Sequence, residues 1–406
     1  MKLAVVGGKL QGTEAVYLAR KAGYETVLVD RRHGVPASGL ADRVVVLDVT
    51  ADERTSRAVL GACDAVLPAC EDDETLAWLD AHVARWGVPL LFDLAAYRVT
   101  SSKLASNRLA ADLGVPAPRP WPACGFPAVV KPSSASGSEG VTVVSDETGL
   151  RVAKERLAAA GHEVVVEEYV AGPSLSIEVL AAGGRAVPLQ VTGLEFDAGY
   201  DCKRVVAPVG EAAAGGPPAA ASPTASPDWS RAAPTGTLEA LDDMAVRLAE
   251  GLGLTGLMDV EVMVAPDGPR LLEIDARLPS QTPTAVLWSS GVNLLEGLVD
   301  CVTRGAPPSL DRTPRSACVY QHVHAEGGRL AVPGEHVMGS SRPLSLVEGF
   351  HGADEALTDY EPGAPSWSAT LICAGATVAE ARARADAVVR DLGRRETLAL
   401  VAEETP

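Results

Sequence analysis

The chain has 406 residues, 47% of them hydrophobic, with 35 basic and 53 acidic side chains and a net charge of −18. That length exceeds one ordinary core, so two or three domains are expected, and the acidic balance argues against a nucleic-acid or anionic-membrane surface, which needs a basic face. No apolar run approaches the ~18 residues of a membrane span, the amino-terminal run is too short for a secretory signal, and the seven scattered cysteines form no Cys-x-x-Cys pair, which fits a reduced cytoplasm.

From the amino terminus, residues 3–6, 26–29, 44–47, 65–67 and 88–92 read as short buried strands, with helical spacing over 14–21, 52–60 and 75–85 between them. Such alternation predicts a parallel sheet with right-handed crossovers, a Rossmann-like domain. Gly7-Gly8-Lys9-Leu10-Gln11-Gly12 follows the first strand where a dinucleotide loop would lie, but Lys9 replaces the glycine that lets the backbone approach a pyrophosphate. The turn still offers backbone N–H groups, a lysine and a glutamine to a small polar ligand, and Asp30 ends the second strand. Glu71, after the fourth strand, opens on the same edge, where it suits a substrate ammonium or is a solvated loop acid.

A capped helix over 101–113 opens a small α+β lobe, with strands at 128–131, 141–144 and 163–168 and a helix at 147–159. Lys131 ends the first of these strands, and Pro132-Ser-Ser-Ala-Ser-Gly-Ser-Glu-Gly140 follows it. That loop of small residues can lie over phosphates while the lysine contacts their oxygens, or can be a simple flexible turn; it is not a Walker loop. Lys103, in the first turn of the helix, reads by itself as a surface charge, and Glu167-Glu168-Tyr169-Val170 ends the last strand. From about residue 172 the pattern turns antiparallel, with Gly183-Gly184 and Pro266-Asp267-Gly268 as hairpin turns. Residues 211–235 are mostly Ala, Pro, Gly and Ser and read as a surface insertion without a core. Strands near 317–324 and 368–374 and a helix at 378–392 complete the chain.

The strongest chemical signal is the run from Met258 to Asp275. A hairpin centred on Asp267 sets Glu261 opposite Glu273 and Asp259 opposite Asp275, and the period of two puts all four carboxylates on one face. Val260, Val262, Leu272 and Ile274 then mark the other face as core. Like charges directly opposite one another destabilise a sheet, and a hard divalent cation with oxygen ligands removes the conflict; the alternative is an acidic face turned to water. Arg277 follows, able to hold a phosphate or carboxylate bidentately or to pair with the acidic face, and Ser280-Gln281-Thr282 adds uncharged donors.

The order of these features resembles the ATP-grasp superfamily, and within it the PylC family of pyrrolysine-biosynthesis ligases that join 3-methylornithine to lysine. The matches are Val6-Gly-Gly-Lys-Leu-Gln-Gly12, Leu91-Phe-Asp-Leu-Ala-Ala-Tyr-Arg98, Tyr200-Asp-Cys202, Met258-Asp-Val-Glu261 and Glu273-Ile-Asp-Ala-Arg-Leu-Pro-Ser-Gln-Thr-Pro-Thr-Ala-Val286, continued by Ser289-Ser-Gly-Val-Asn293. The resemblance implies an α/β and α+β chain: a Rossmann-like pre-ATP-grasp domain over 1–98, a small ATP-grasp lobe over 99–171, a large lobe over 172–310 containing the insertion, and a region over 311–406 packed on the large lobe. Lys203 departs from the family, where a histidine is expected.

The resemblance also assigns roles. Lys103, Lys131, Ser133, Ser136 and Gly137 would bind the phosphates of ATP, and Glu167, Glu168, Tyr169 and Val170 the adenosine. Glu261, Glu273 and Asp275 would carry Mg2+, with Asp259 close by. Arg277, Ser280, Gln281 and Thr282 would contact the 3-methylornithine part or its acyl phosphate, Asp201 and Asp259 would also face substrate, and Arg277 and Lys131 would assist catalysis. Lys9, Asp30, Asp48 and Val49 would lie near nucleotide, and Leu10, Gln11 and Glu71 near lysine. The reaction implied is carboxylate activation by ATP to an acyl phosphate, followed by attack of the lysine ε-amine, and a homodimer is compatible with the sequence. Rival readings are a ligase with other amino-acid or purine-pathway substrates, a nicotinamide-dependent dehydrogenase, and a non-catalytic sensor of the same fold.

Overall fold

The computed structural model describes residues 1–134, 137–210, 227–229 and 232–401, so Ser136 and most of the Ala/Pro-rich insertion lie outside the described residues. The amino-terminal part is a parallel sheet of β1 (Lys2–Val6), β2 (Glu25–Asp30), β3 (Arg43–Val46) and β4 (Ala65–Pro68) in the order β3-β2-β1-β4, crossed over by α1 (Leu10–Lys21) and α2 (Glu53–Leu60) and followed by α3 (Asp73–His82). Asp52 and Asp72 start α2 and α3 by accepting backbone N–H bonds from Arg54, Thr55 and Thr75. The expected fifth strand at 88–92 contributes one bridge, Leu90 to Val66. Pro89 has no N–H for a ladder, and Asp93 already caps the next helix, α4 (Leu94–Thr100), by accepting from Ala96 N–H.

A second sheet, order β6-β5-β7, comprises β5 (Ala128–Pro132), β6 (Thr142–Val144) and β7 (Val164–Glu168), with α5 (Lys103–Asp112) before it and α6 (Glu147–Ala159) inside it. Its small core is Ala128, Val130, Val144, Leu150, Ala153 and Leu157.

The remaining strands form one large sheet. They are β8 (Ser174–Ala182), β9 (Arg185–Phe196), β10 (Cys202–Ala207), β11 (Gly256–Ala265), β12 (Gly268–Asp275), β13 (Ala317–Glu326), β14 (Arg329–Ala331), β15 (Ser345–Glu348), β16 (Glu355–Thr358), β17 (Ser366–Gly375) and β18 (Ala399–Leu400). The order is β12-β11-β8-β9-β10-β13-β17-β16-β15, with β14 bridging β13 and β18, so the carboxyl-terminal strands continue the sheet that carries the acidic hairpin. Gly183 and Gly184, at φ +59° and +73°, make the two-residue turn between β8 and β9, where positive φ at both positions favours glycine.

Helices α7 (Thr237–Leu252) and α11 (Val378–Arg395) cover one face of this sheet, burying Leu241, Met244, Leu248, Val388 and Leu392 against Met258, Val260, Val262 and Leu371. The other face packs on α8 (Thr282–Ser290), α9 (Leu294–Arg304) and α1, with the short α10 (His336–Gly339) at its edge. Sandwiched between its own parallel sheet and α8–α9, α1 is buried continuously from Gln11 to Ala19, although its sequence reads as amphipathic. Trp288 Nε1 donates to Tyr17 Oη (2.8 Å) and Asn293 Nδ2 to Leu18 O (2.9 Å), which fixes α1 against the helices of the large sheet.

The acidic hairpin pairs Glu261 with Glu273 and Asp259 with Asp275 as expected, by a different route. The turn is the two-residue Pro266-Asp267 rather than one centred on Asp267, because Ala265 pairs with Gly268 and Val262 with Leu271. A bulge at Leu272 then shifts the register by one and brings the carboxylates opposite one another. Leu271 takes the core position, 2% exposed, and Leu272 turns to the open face instead of the core side expected for it.

Candidate active site

The acidic face extends beyond the hairpin. β8 lies beside β11 with Glu178 opposite Asp259 and Ser176 opposite Glu261. Asp275, Asp259 and Glu178 therefore form one row, with Glu273, Glu261 and Ser176 in the next. Burial raises the pKa of Glu178, Asp259, Asp275 and Glu261. Glu178 is pushed up to about 8 by desolvation and the charge of Asp259, and Asp259 to about 6 by desolvation, against the hydrogen bond donated by Ser176. Asp275 rises to about 7, burial outweighing Arg277, and Glu261 goes well above the carboxylate range through burial and then Asp259, Glu273 and Asp275.

Two cations share these acids. Lys103 Nζ is 2.7 Å from Glu273 Oε1, and Arg277 Nη2 lies 2.5 Å from Asp275 Oδ2 and 2.7 Å from Glu71 Oε1. Gln11 Nε2 donates to Glu71 Oε1 at 2.8 Å, so Arg277 ties the large sheet to the turn after β4 and the start of α1. Among the described residues no three acidic, histidine or cysteine side chains are grouped to hold a metal as they stand, since Glu273 and Asp275 are turned to Lys103 and Arg277. The donor set nevertheless suits a hard divalent ion: carboxylate oxygens from two strands share one face, and burial pushes the pKa of Glu261 and Asp275 up, a cost that a bound cation would relieve.

Three adjoining pockets surround this face. The first, between the small sheet and the hairpin, is lined by Lys103, Lys131, Glu167, Glu168, Tyr169, Val170, Glu261 and Glu273, with Phe196, Met263 and Leu272 as apolar wall. Lys131 Nζ is 2.5 Å from Glu167 Oε1, both buried, and Arg119 forks onto Glu168 at 2.8 and 3.0 Å. Ser133 is not brought to this pocket. It is buried, and its hydroxyl accepts from Leu104 N–H (3.3 Å) while its carbonyl accepts from Lys103 N–H (2.8 Å), which seats α5 against β5.

The second pocket holds Asp259, Glu261, Glu273, Asp275, Arg277, Ser280, Gln281, Thr282 and Asp201, with Gly137, Tyr200, Cys202 and Glu335. Gln281 has φ +73° and ψ −58°, and Thr282 N–H donates to Ser280 O at 2.9 Å, a γ-turn that strains a non-glycine residue. The turn is held from both sides. Glu335 accepts from Ser280 Oγ (2.7 Å), and buried Glu14 of α1 accepts from Thr284 N–H (2.7 Å), supplying the cap that Gln281 does not.

The third pocket lies at the carboxyl ends of the parallel strands and collects Lys9, Leu10, Gln11, Asp30, Asp48, Val49 and Glu71, joined by His336 of α10. Asp30 Oδ2 accepts from Gly8 N–H at 2.9 Å and its Oδ1 from Arg32 N–H at 2.8 Å, so this carboxylate also organises the glycine turn. A Cβ at Gly7 would come within 2.4 Å of Ala69 O, which explains the residue at that close approach of two turns.

Reasoning from sequence missed Glu14, Glu178, Glu335 and His336. Glu178 carries a usable signal, a lone acid within the apolar run of β8 at the parity of Ser174 and Ser176; the others sit in segments with no local pattern that points to the site.

Residues 119–281 match the family model of the phosphoribosylglycinamide synthetase ATP-grasp (A) domain. The chain is 34% identical over 337 residues to the 3-methyl-D-ornithine–L-lysine ligase of Methanosarcina barkeri, covering 83% of each chain. Its structure is similar to the ADP complex of the N5-carboxyaminoimidazole ribonucleotide synthetase purK, with a TM-score of 0.67 at 15% identity over 96% of this chain and 97% of that one. It is also similar to an L-amino acid ligase from Bacillus licheniformis, with a TM-score of 0.66 at 15% identity over 100% and 99%.

Proposed function

The chain belongs to the family of 3-methyl-D-ornithine–L-lysine ligases, ATP-grasp carboxylate–amine ligases, and from that premise we propose that it joins the carboxylate of (3R)-3-methyl-D-ornithine to the ε-amine of L-lysine in pyrrolysine biosynthesis. The observation that carries this reading is Arg277, paired at once with Asp275 and Glu71, because it links the carboxylate-rich pocket to the pocket at Gln11. A ligase that joins two substrates needs two sites that meet.

In this reading ATP lies between the small sheet and the hairpin, with Lys103 and Lys131 at its phosphates and Glu167 to Val170 at the adenosine. Phe196, Met263 and Leu272 supply the apolar wall for the base. Glu261, Glu273 and Asp275 would hold Mg2+, which when bound neutralises charge on the phosphate oxygens. Lys103 and Arg277 leave their carboxylates for anionic groups of the substrates. The carboxylate of 3-methylornithine attacks the γ-phosphate to give an acyl phosphate and ADP, and the lysine amine then displaces phosphate. Arg277 and the strained Ser280–Gln281–Thr282 turn position the acyl group, and Leu10, Gln11 and Glu71 hold the lysine. Catalysis rests on positioning and charge, and no protein nucleophile is required.

The test is ADP release, measured with 3-methyl-D-ornithine and L-lysine together and with each alone. Release that requires both supports the reading. Release that instead follows a different acid–amine pair, such as the purine-pathway substrates of related ligases, refutes the substrates, and NADH binding without ATP hydrolysis refutes the ligase reading altogether.

A further inference from the structure

Amide formation requires the lysine ε-ammonium to lose a proton. Of the acids around the carboxylate pocket, Asp275 is held by Arg277, Glu273 by Lys103, Glu335 by Ser280 and Asp259 by Ser176, while Glu261 serves the metal in the reading above. One titratable group outside those pairs stands at the seam between that pocket and the amino-terminal one. His336 lines the amino-terminal pocket, whereas its partner Asp201 lines the carboxylate pocket.

The pair is built rather than incidental. Asp201 Oδ2 is 2.8 Å from His336 Nδ1 and accepts the His336 backbone N–H at 3.1 Å, while Asp197 accepts from Gly334 N–H at 3.1 Å. Gly334 lies so close to Asp201 that a Cβ there would fall 2.0 Å from its carboxyl carbon, so only glycine permits the approach. With Nδ1–H turned to the carboxylate, Nε2 keeps its lone pair. The Nε2 edge faces the small-residue loop: a Cβ on Gly137 would lie 2.9 Å from Nε2, and Gly137 itself lines the carboxylate pocket.

We propose that His336, oriented by Asp201, is the base that accepts the proton of the attacking lysine amine. The inference rests on the ligase reading above. The ε-ammonium gives one N–H proton to Nε2. The freed lone pair forms the C–N bond to the acyl carbon, the bond between that carbon and the phosphate oxygen breaks, and the departing phosphate keeps the electron pair and takes up the second N–H proton that the nitrogen sheds on becoming an amide. The imidazolium formed is stabilised by Asp201. The charged surroundings suit that role. Partial burial lowers the His336 pKa, but the hydrogen bond and charge of Asp201, with Glu335 and Asp197, outweigh it and leave the pKa above that of an ordinary histidine. Of the elements packed against α10, α1 is preceded by Lys9, which lines the same pocket as His336, and the one titratable side chain of β17, Cys373, belongs to the core on the other face of the sheet.

The test separates the two half-reactions. Hydroxylamine, uncharged near neutrality, traps the acyl phosphate as a hydroxamate without needing a base, whereas lysine must be deprotonated. His336→Gln, at a side chain 59% exposed and therefore tolerant of change, is compared with the unsubstituted chain. The expected result is a fall of about 10²-fold in the ratio of lysine amide to hydroxamate, with the lysine rate rising with pH as free amine accumulates. In His336→Gly, added imidazole raises the same ratio. A ratio unchanged in His336→Gln, or lost rates equal in both reactions, overturns the assignment. If the unsubstituted chain forms no amide from 3-methylornithine and lysine, the ligase reading itself has failed, which that control reveals before any variant is compared.

Discussion

Replacing Glu178 by glutamine offers a test of the buried acidic row that needs no ligand. Glu178 is 0% exposed, and its pKa rises from 4.5 to about 8 through burial and the charge of Asp259, which outweigh the Thr282 side chain beside it. An acid whose folded pKa lies above its unfolded value contributes stability that is whole below about pH 4.5 and is lost as pH climbs through about 8. The folded state holds the extra proton across that window, so unfolding becomes easier with each step in pH. Taken over the whole window, the loss is on the order of 5 kcal/mol. Glutamine has nearly the same shape and nothing to ionise. Urea unfolding of Glu178→Gln and of the parent, both without metal or nucleotide, should therefore agree near pH 4.5, diverge in favour of the variant up to about pH 8, and run parallel above it. Taking the difference between the two proteins cancels the titrating groups that do not feel Glu178, which leaves Glu178 and its neighbour Asp259. A stability difference independent of pH between 5 and 8 would falsify the buried, proton-holding state of Glu178.

Glu273→Ala should lower ligase turnover by about 10²-fold or more while ATP affinity, read by calorimetry, changes only a few-fold, because in the proposed reading the carboxylate would serve the transferred phosphoryl group and not the adenosine. Equal losses in both would point to structural damage instead. Gly137→Ala should raise the KM for ATP about tenfold, since the new methyl would stand 2.8 Å from the His336 ring at φ +59° and obstruct the loop; an unchanged KM would contradict that contact. Arg204→Met should cost roughly 3–5 kcal/mol at neutral pH, because it strips the buried Glu195 of a partner 2.6 Å away. Burial favours a neutral Glu195, yet Arg204 and Arg382 hold its pKa at about 2, so the parent keeps this stability above about pH 4.5 and loses it as pH falls towards 2; the gap between parent and variant should narrow over that acid range.

The acidic hairpin was legible because its information is local. Strand periodicity and a turn signal place Glu261, Glu273, Asp259 and Asp275 on one face, and the pairing survives even though the two-residue turn and the Leu272 bulge replace the simple hairpin. The parallel strands and the turn at Gly7-Gly8-Lys9 were legible for the same reason, while Pro89 was the local sign that the fifth strand would stop at a single bridge. The family motifs added the assignment of Lys103, Lys131 and Arg277 to phosphates and substrate, which their spacing alone could not make.

Tertiary structure decided where the separate pieces meet. Glu14 reaches the backbone of Thr284 across 270 residues, Lys103 reaches Glu273 across 170, and His336 finds Asp201 only because α10 folds back over the start of β10. No periodicity can encode such contacts, since each depends on the path of the whole chain and not on the spacing of neighbours. Burial is decided at the same level: Glu178 is an ordinary acid in the sequence and becomes a proton-holding one only when α8, α1 and the rest of the large sheet close over it.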